Sequence, residues 1–274
     1  MTVSPELLLI PAVGYFASGA LFARHLRSRH EGTAAVAAWV AVATVIAHAG
    51  IAVARFASAP YAPFASMAES LSLYGLVCAA LSLHLQRAYR APALGCVVLP
   101  VCGLASAAAA VLSPARVTAL PELLRSPWFL IHIPLCFLGY VAMMLAFGVS
   151  VLYLLHDGLL RQKRLGTLHR HLPPLHVLEH IARRLVASGF PVLTAGLIAG
   201  VMWARSLPAD YTGWHSKGSA ALVTWLLYAA ALHARNLAGW RGRKYSWLLT
   251  LGFASIVVGY VVVSLMNPGA HDFR

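Results

Sequence analysis

The sequence predicts an all-α, polytopic membrane helix bundle of about eight transmembrane helices, with both termini outside. Three observations predict it. Of 274 residues, 60% are hydrophobic and 11% charged, whereas soluble domains are about 45–50% apolar and about 25% charged. The apolar residues gather into eight runs near the ~20 residues that span a hydrocarbon core. None of these runs alternates with period two, which argues against a β-barrel. Finally, the net charge of +13 is unevenly spread: 15 of the 21 Lys and Arg fall in the connections after the first, third, fifth and seventh runs or, for Arg235, at the edge of one. That is the positive-inside bias of an N-out, C-out protein. It explains the basicity as topology, with anionic lipid as reinforcement, and leaves no need for a nucleic-acid partner.

The elements follow in order. The first run covers about 5–23; Glu6 precedes it and Arg24, Arg27 and Arg29 follow it. That flank order fits a membrane helix better than a cleavable leader. The second run, about 34–54, is rich in alanine and contains Ala47-His-Ala-Gly50. The third and fourth, about 67–86 and 93–112, carry the Gly, Ala and Ser that allow close packing in lipid. Glu69 opens the third; an acid there is solvated, pairs with Arg55 across the short connection, or contacts a ligand. The fifth run, about 128–155, is entered through Pro127-Trp-Phe-Leu-Ile-His-Ile-Pro134.

Residues 156–186 form the longest connection, expected on the cytoplasmic side. After Pro173-Pro174, the apolar residues Leu175, Leu178, Ile181, Ala182 and Leu185 recur at helical spacing beside Arg183 and Arg184. This predicts an amphipathic surface helix leading into the sixth run, about 187–205. An outer loop, 206–218, separates that run from the seventh, about 219–237, and the eighth covers about 245–266. The whole chain, 1–274, reads as a single transmembrane domain.

Cys78, Cys96, Cys102 and Cys136 form no C-x-x-C pair and sit in or near apolar runs, where cysteine behaves as a small hydrophobe. His176-Val-Leu-Glu-His180 fits a zinc-peptidase pattern. The further ligand such a hydrolase needs is not visible, and solvated histidines on a surface helix explain the match better.

Four other histidines are more informative. His48 and His233 lie inside apolar runs, where an imidazole is costly without a partner. His132 and His271 lie at the outer edges of runs; His271 is in Asn267-Pro-Gly-Ala-His-Asp272. Sorted by depth, they make one pair within the membrane and one at its surface. Two imidazoles are an axial ligand set for iron porphyrin. There is a geometric cost. His48 lies about 9 Å below the outer end of its run and His233 about 21 Å below its own, at 1.5 Å per residue. Equal depth requires the second run to project to about Ser58 and bury Arg55, or requires tilted helices.

At these residues the chain resembles the cytochrome c assembly protein family, the CcsA/ResC-type haem-handling component of system II biogenesis, with its YpjD/HemX-like branch. The similarity runs through nearly the whole chain. It is carried by His48, Ala68-Glu-Ser-Leu71, Ile131-His-Ile-Pro134, Leu172-Pro-Pro-Leu175 and Gly189-Phe-Pro-Val-Leu-Thr-Ala-Gly196. Further matches are Thr224-Trp-Leu-Leu-Tyr228, Gly239-Trp-Arg-Gly-Arg243 and Leu251-Gly-Phe253. The resemblance implies haem b as cofactor and haem-iron ligation by His132 with His271 and by His48 with His233. Glu69, Trp214 and Lys217 join the cofactor-binding set, the last two against the haem face and a propionate.

The resemblance also implies delivery of haem to the outer face and its presentation to the Cys-x-x-Cys-His motif of apocytochrome c. A ResB/CcsB-like membrane partner, thioredoxin-like reductants and a bacterial inner membrane go with that role. The family's tryptophan-rich outer motif is eroded: Trp214 and Lys217 match, but His215 and Gly218 stand where acids are common. Whether the chain contributes to a holocytochrome c synthase therefore stays open. Two other classes stand beside haem delivery. A HemX-like, non-catalytic regulator of tetrapyrrole synthesis would not need the four histidines. A small-molecule permease would show acidic or broken-helix features at the midplane, which are few here.

Overall fold

The computed structural model describes residues 4–27, 32–58, 66–113, 126–164, 166–206 and 214–266, with the side chains of 214–217 and 260–266 excepted. All regular structure among them is helical. The helices are α1 (Leu9–Arg27), α2 (Gly32–Ser58), α3 (Met67–Ala88), α4 (Gly95–Leu112), α5 (Pro127–Arg161), α6 (Thr167–His171), α7 (Leu175–Arg205), α8 (Trp214–Asn236) and α9 (Arg243–Met266). Six helices, those bounded by Pro5–Arg27, Gly32–Ser58, Met67–Ala88, Pro92–Leu112, Pro127–Arg161 and Leu175–Arg205, are long and apolar enough to cross a membrane among the described residues. The protein is an all-α, multi-pass membrane bundle.

The apolar runs locate the helices, and the structure moves several of their ends. α2 continues to Ser58 because its terminal charge is neutralised: Arg55 Nη2 lies 3.2 Å from Glu69 Oε1 and 3.3 Å from Ser113 Oγ. The pair is largely buried, at 14% and 10% side-chain exposure. This is the Arg55–Glu69 alternative of the sequence reading. The segment expected as a surface helix leading into the sixth run forms one continuous helix with it, α7. Arg183 and Arg184 lower the local hydropathy there without interrupting the helical repeat. α8 begins at Trp214, so the end of the expected outer loop is helical.

The residues fall into two compact units, Met1–Arg116 with Val151–Leu178, and Val117–Ser150 with Glu179–Arg274. In the first, α1 packs on α2 and α4, and α3 completes the ring against α2 and α4. Small and hydroxylated residues make this possible, since lipid gives helices no hydrophobic reason to associate. On α2 the buried stripe is Ala37, Ala41, Thr44 and His48, while Trp39, Ile46 and Val53 face outward. Ser18 Oγ donates to the Ala37 carbonyl at 2.8 Å, and Ser106 Oγ to the Leu8 carbonyl at 2.9 Å. Both bonds are buried and join separate segments.

The second unit joins the first half of α5, most of α7, α8 and α9. A Cβ on Gly139 would lie 2.7 Å from Leu193 Cβ, and one on Gly189 2.5 Å from Ala142 Cβ, so α5 and α7 approach closely. Trp225 Nε1 donates to Thr194 Oγ1 at 2.9 Å, tying α8 to α7. Phe147 stacks on Phe253 at 4.4 Å between ring centroids, tying α5 to α9.

Candidate haem-ligand sites

His132 is the sixth residue of α5, one turn from the helix start and two residues before Pro134. Pro134 has no N–H to give the Leu130 carbonyl, which loosens the helix there. Its Nδ1 lies 2.7 Å from the carbonyl oxygen of Gly196 on α7. A carbonyl only accepts, so Nδ1 carries the proton and donates. In the neutral ring, the lone pair is then on Nε2. This is the arrangement of a metal-ligating histidine, in which a second interaction fixes tautomer and ring plane while the other nitrogen stays basic.

The ring is confined against α7. Trp203 stacks on it, with centroids 6.0 Å apart and planes at 26°. Trp203 is itself held by Phe129, at 5.0 Å. Gly196, Gly200 and Trp203 lie on one face of α7 at spacings of four and three. A Cβ on Gly200 would meet His132 Cε1 at 2.6 Å and Nδ1 at 2.7 Å; one on Gly196 would meet Cys136 N and Sγ at 2.7 Å. The imidazole occupies the space a side chain at 200 would fill, and Cys136 the space of one at 196. Gly196 ends a stretch that carries the resemblance in sequence, but Gly200 and Trp203 do not stand out there. The small-xxx-small spacing of Gly196 and Gly200 on a membrane helix is the available signal.

His48 is placed differently. It is fully buried, with Tyr15 Oη 3.1 Å from Nδ1 and Ser72 Oγ 2.9 Å from Nε2. Both ring nitrogens are engaged, and the residue ties α1, α2 and α3 together. It stands ten residues before the end of α2 at Ser58, about 15 Å along the helix. To coordinate iron it must first release Tyr15 or Ser72.

His233 is exposed in the last turn of α8. Two residues on, Arg235 Nη1 donates to Glu179 Oε1 of α7 and its guanidinium lies 5.1 Å over the Tyr245 ring. Glu179, the acid of the peptidase-like pattern, is thus engaged by an arginine. Among the described residues no group of three or more His, Cys, Asp or Glu could hold a metal ion.

Glu69 is committed to Arg55, and its backbone N–H donates to the capping Ser66 Oγ at 3.2 Å. Ser66 and Glu69 stand at capping-box spacing. Trp214 and Lys217 lie in the first turn of α8. His271 lies outside the described residues.

Donor chemistry at His132 fits iron porphyrin. A single imidazole with a free Nε2 is sufficient on one axial side, because the macrocycle supplies four nitrogens itself. The aromatic wall beside it suits a flat apolar ligand.

Known proteins resemble the chain over most of its length. Residues 64–271 match the family model described as "Cytochrome C assembly protein". Among similar proteins is the cytochrome c biogenesis protein CcsA of Gloeothece citriformis, 31% identical over 80% of this chain and 81% of its own length. CcsA of Synechococcus elongatus is 29% identical over 80% and 81%. CcsA of Rippkaea orientalis is 29% identical over 97% and 94%. With the family model spanning most of a multi-pass helical bundle, the chain belongs to the cytochrome c assembly protein family.

Proposed function

We propose that this protein binds haem in the membrane and delivers it to the outer face for attachment to apocytochrome c. The observation that carries the proposal is the His132 environment: Nδ1 donating to Gly196 O at 2.7 Å, which sets the lone pair on Nε2. A structural histidine needs no free basic nitrogen; an axial ligand does. His271 is the proposed second ligand of the outer pair. Bis-imidazole ligation holds iron six-coordinate, and the axial ligands set its potential.

His132 binds and orients, and Trp203 and Gly200 keep its ring in one plane. Trp214 and Lys217, in the first turn of α8, are proposed to contact the haem face and a propionate. His48 and His233 remain the proposed second pair, His48 at the cost of one of its two hydrogen bonds. Glu69 is assigned to positioning through Arg55. Haem b is the proposed form of the cargo. The eight-span, N-out, C-out topology and the bacterial inner membrane are proposed from the charge bias.

Thioether formation requires reduced cysteines on the acceptor. Cys78, Cys102 and Cys136 are buried free thiols and Cys96 is half-buried; none sits in a redox motif. Reduction is therefore assigned to partners, a ResB/CcsB-like membrane protein and thioredoxin-like reductants. Family membership favours assembly over the regulatory alternative.

The test is co-expression with an apocytochrome c and such a membrane partner, with covalent haem measured on denaturing gels. His132→Gly is expected to abolish product and added imidazole to restore part of it. Full product from His132→Gly without imidazole would exclude the proposed role.

A further inference from the structure

We infer that His169, held by His156, is a second haem-iron ligand, on the positively charged face of the first unit, and that it takes iron through one imidazole. The inference rests on the haem-handling reading above and adds a site that the four histidines do not include.

Pro173 sets the tautomers of both rings. Its carbonyl oxygen lies 2.9 Å from His156 Nδ1 and can only accept, so His156 Nδ1 carries the proton. His156 Nε2 then has the lone pair. It lies 2.9 Å from His169 Nδ1, which must in turn be the donor. That leaves the lone pair of His169 on Nε2. His156 is buried and His169 half-exposed, so the relay runs from a fixed backbone oxygen to a basic nitrogen near the surface. It is the same logic that prepares His132, with a histidine in place of the carbonyl.

The local fold holds this nitrogen in place. His169 lies on α6, five residues long and too short to be stable alone. One side of α6 is fixed by His169 against His156, with ring centroids 4.9 Å apart. The other is fixed by His171, whose ring meets buried His25 of α1 edge-on at 4.8 Å. His171 Nδ1 also donates to the Thr167 carbonyl at 2.9 Å. Solvated histidines would show none of this order.

Ligand class follows from the count of donors. A bare zinc or copper ion needs three or four protein ligands, and no such group exists among the described residues. Iron in a porphyrin needs one. Lys163, Arg164 and Arg170 are exposed on the same connection, with Arg161, which is paired to Asp157 at 2.9 Å, and two propionates are anions that such a surface attracts. Haem held by His169 alone would be high-spin and weakly bound, which would suit a site that receives haem and passes it on.

The experiment is a ferric-haem titration of the full-length protein in detergent, read by optical and electron paramagnetic resonance spectra. The background is His132→Ala/His271→Ala, compared with the same background carrying His169→Gly. The first is expected to retain about one equivalent of high-spin haem. In the second, that haem binds more than about tenfold more weakly, and added imidazole restores it.

His169→Gln serves as a second variant. Its amide can still donate to His156 but cannot ligate iron, so it is expected to melt like the background and lose the high-spin signal. A high-spin signal that survives both His169 variants overturns the inference and leaves the outer site untouched. Loss of the high-spin signal in a protein whose wild type shows no low-spin haem removes the outer pair and keeps this site. A wild type that binds no haem of either kind removes both.

Discussion

Gly200→Ala isolates the orienting role of α7 without touching a ligand. The added Cβ would lie 2.6 Å from His132 Cε1 and 2.7 Å from Nδ1. Ordinary carbon contacts are about 3.5–4.0 Å, so ring and helix must separate by about 1 Å. The Nδ1–Gly196 O distance of 2.7 Å then stretches past the ~3.5 Å at which a hydrogen bond ceases to be one. His132 keeps its chemistry but loses its fixed tautomer and plane. Losses of such supporting interactions cost about 10–100-fold in metal affinity, or about 1.4–2.7 kcal/mol.

The assay is titration of the purified full-length protein with ferric haem, following the low-spin fraction. Gly50→Ala is the control, because a Cβ there meets nothing within 4 Å; its affinity should equal wild type, with a small gain in helix stability. A Gly200→Ala protein that binds low-spin haem as tightly as wild type would refute the reasoning, since the ring would then need no support from α7.

Other expected outcomes concern the first unit. In haem-free protein, His48→Ala should lower unfolding free energy by about 2–4 kcal/mol, as two buried hydrogen bonds go and Tyr15 and Ser72 lose a partner; His48→Gln should recover part of it. No loss in chemical denaturation would show that His48 is not a tie between helices. Arg55→Met and Glu69→Gln should be non-additive, with a coupling of about 1–3 kcal/mol in a double-mutant cycle of thermal unfolding. Because both side chains are largely buried, raising salt should change that coupling little; a coupling that vanishes in salt would place the pair in solvent.

Hydropathy was sufficient to place the helices, because in lipid each spanning segment must satisfy its own backbone and so must be an apolar run. It failed where charge is neutralised by a distant residue. Arg55 looked like the end of the second run, yet Glu69 carries α2 on to Ser58. The surface helix expected beside Arg183 and Arg184 does lead into the sixth run, and the two form one helix, α7.

At the site, the sequence showed that His132 was unusual but not why. Its decisive partner is a backbone carbonyl, which leaves no residue signature. At His48 nothing in the sequence signals that Tyr15 and Ser72, on other helices, engage both nitrogens. The relay from Pro173 through His156 to His169 was hidden for a third reason: histidines in a basic connection read as solvated until the fold brings them together.

Spectra of the detergent-purified protein, oxidised and then dithionite-reduced, for wild type and His132→Ala/His271→Ala decide whether His132 and His271 are axial ligands to haem iron. A low-spin, bis-histidine spectrum is expected in wild type, lost or sharply weakened in the double variant. A wild type that carries no low-spin haem even after excess haem is supplied during expression would contradict that assignment.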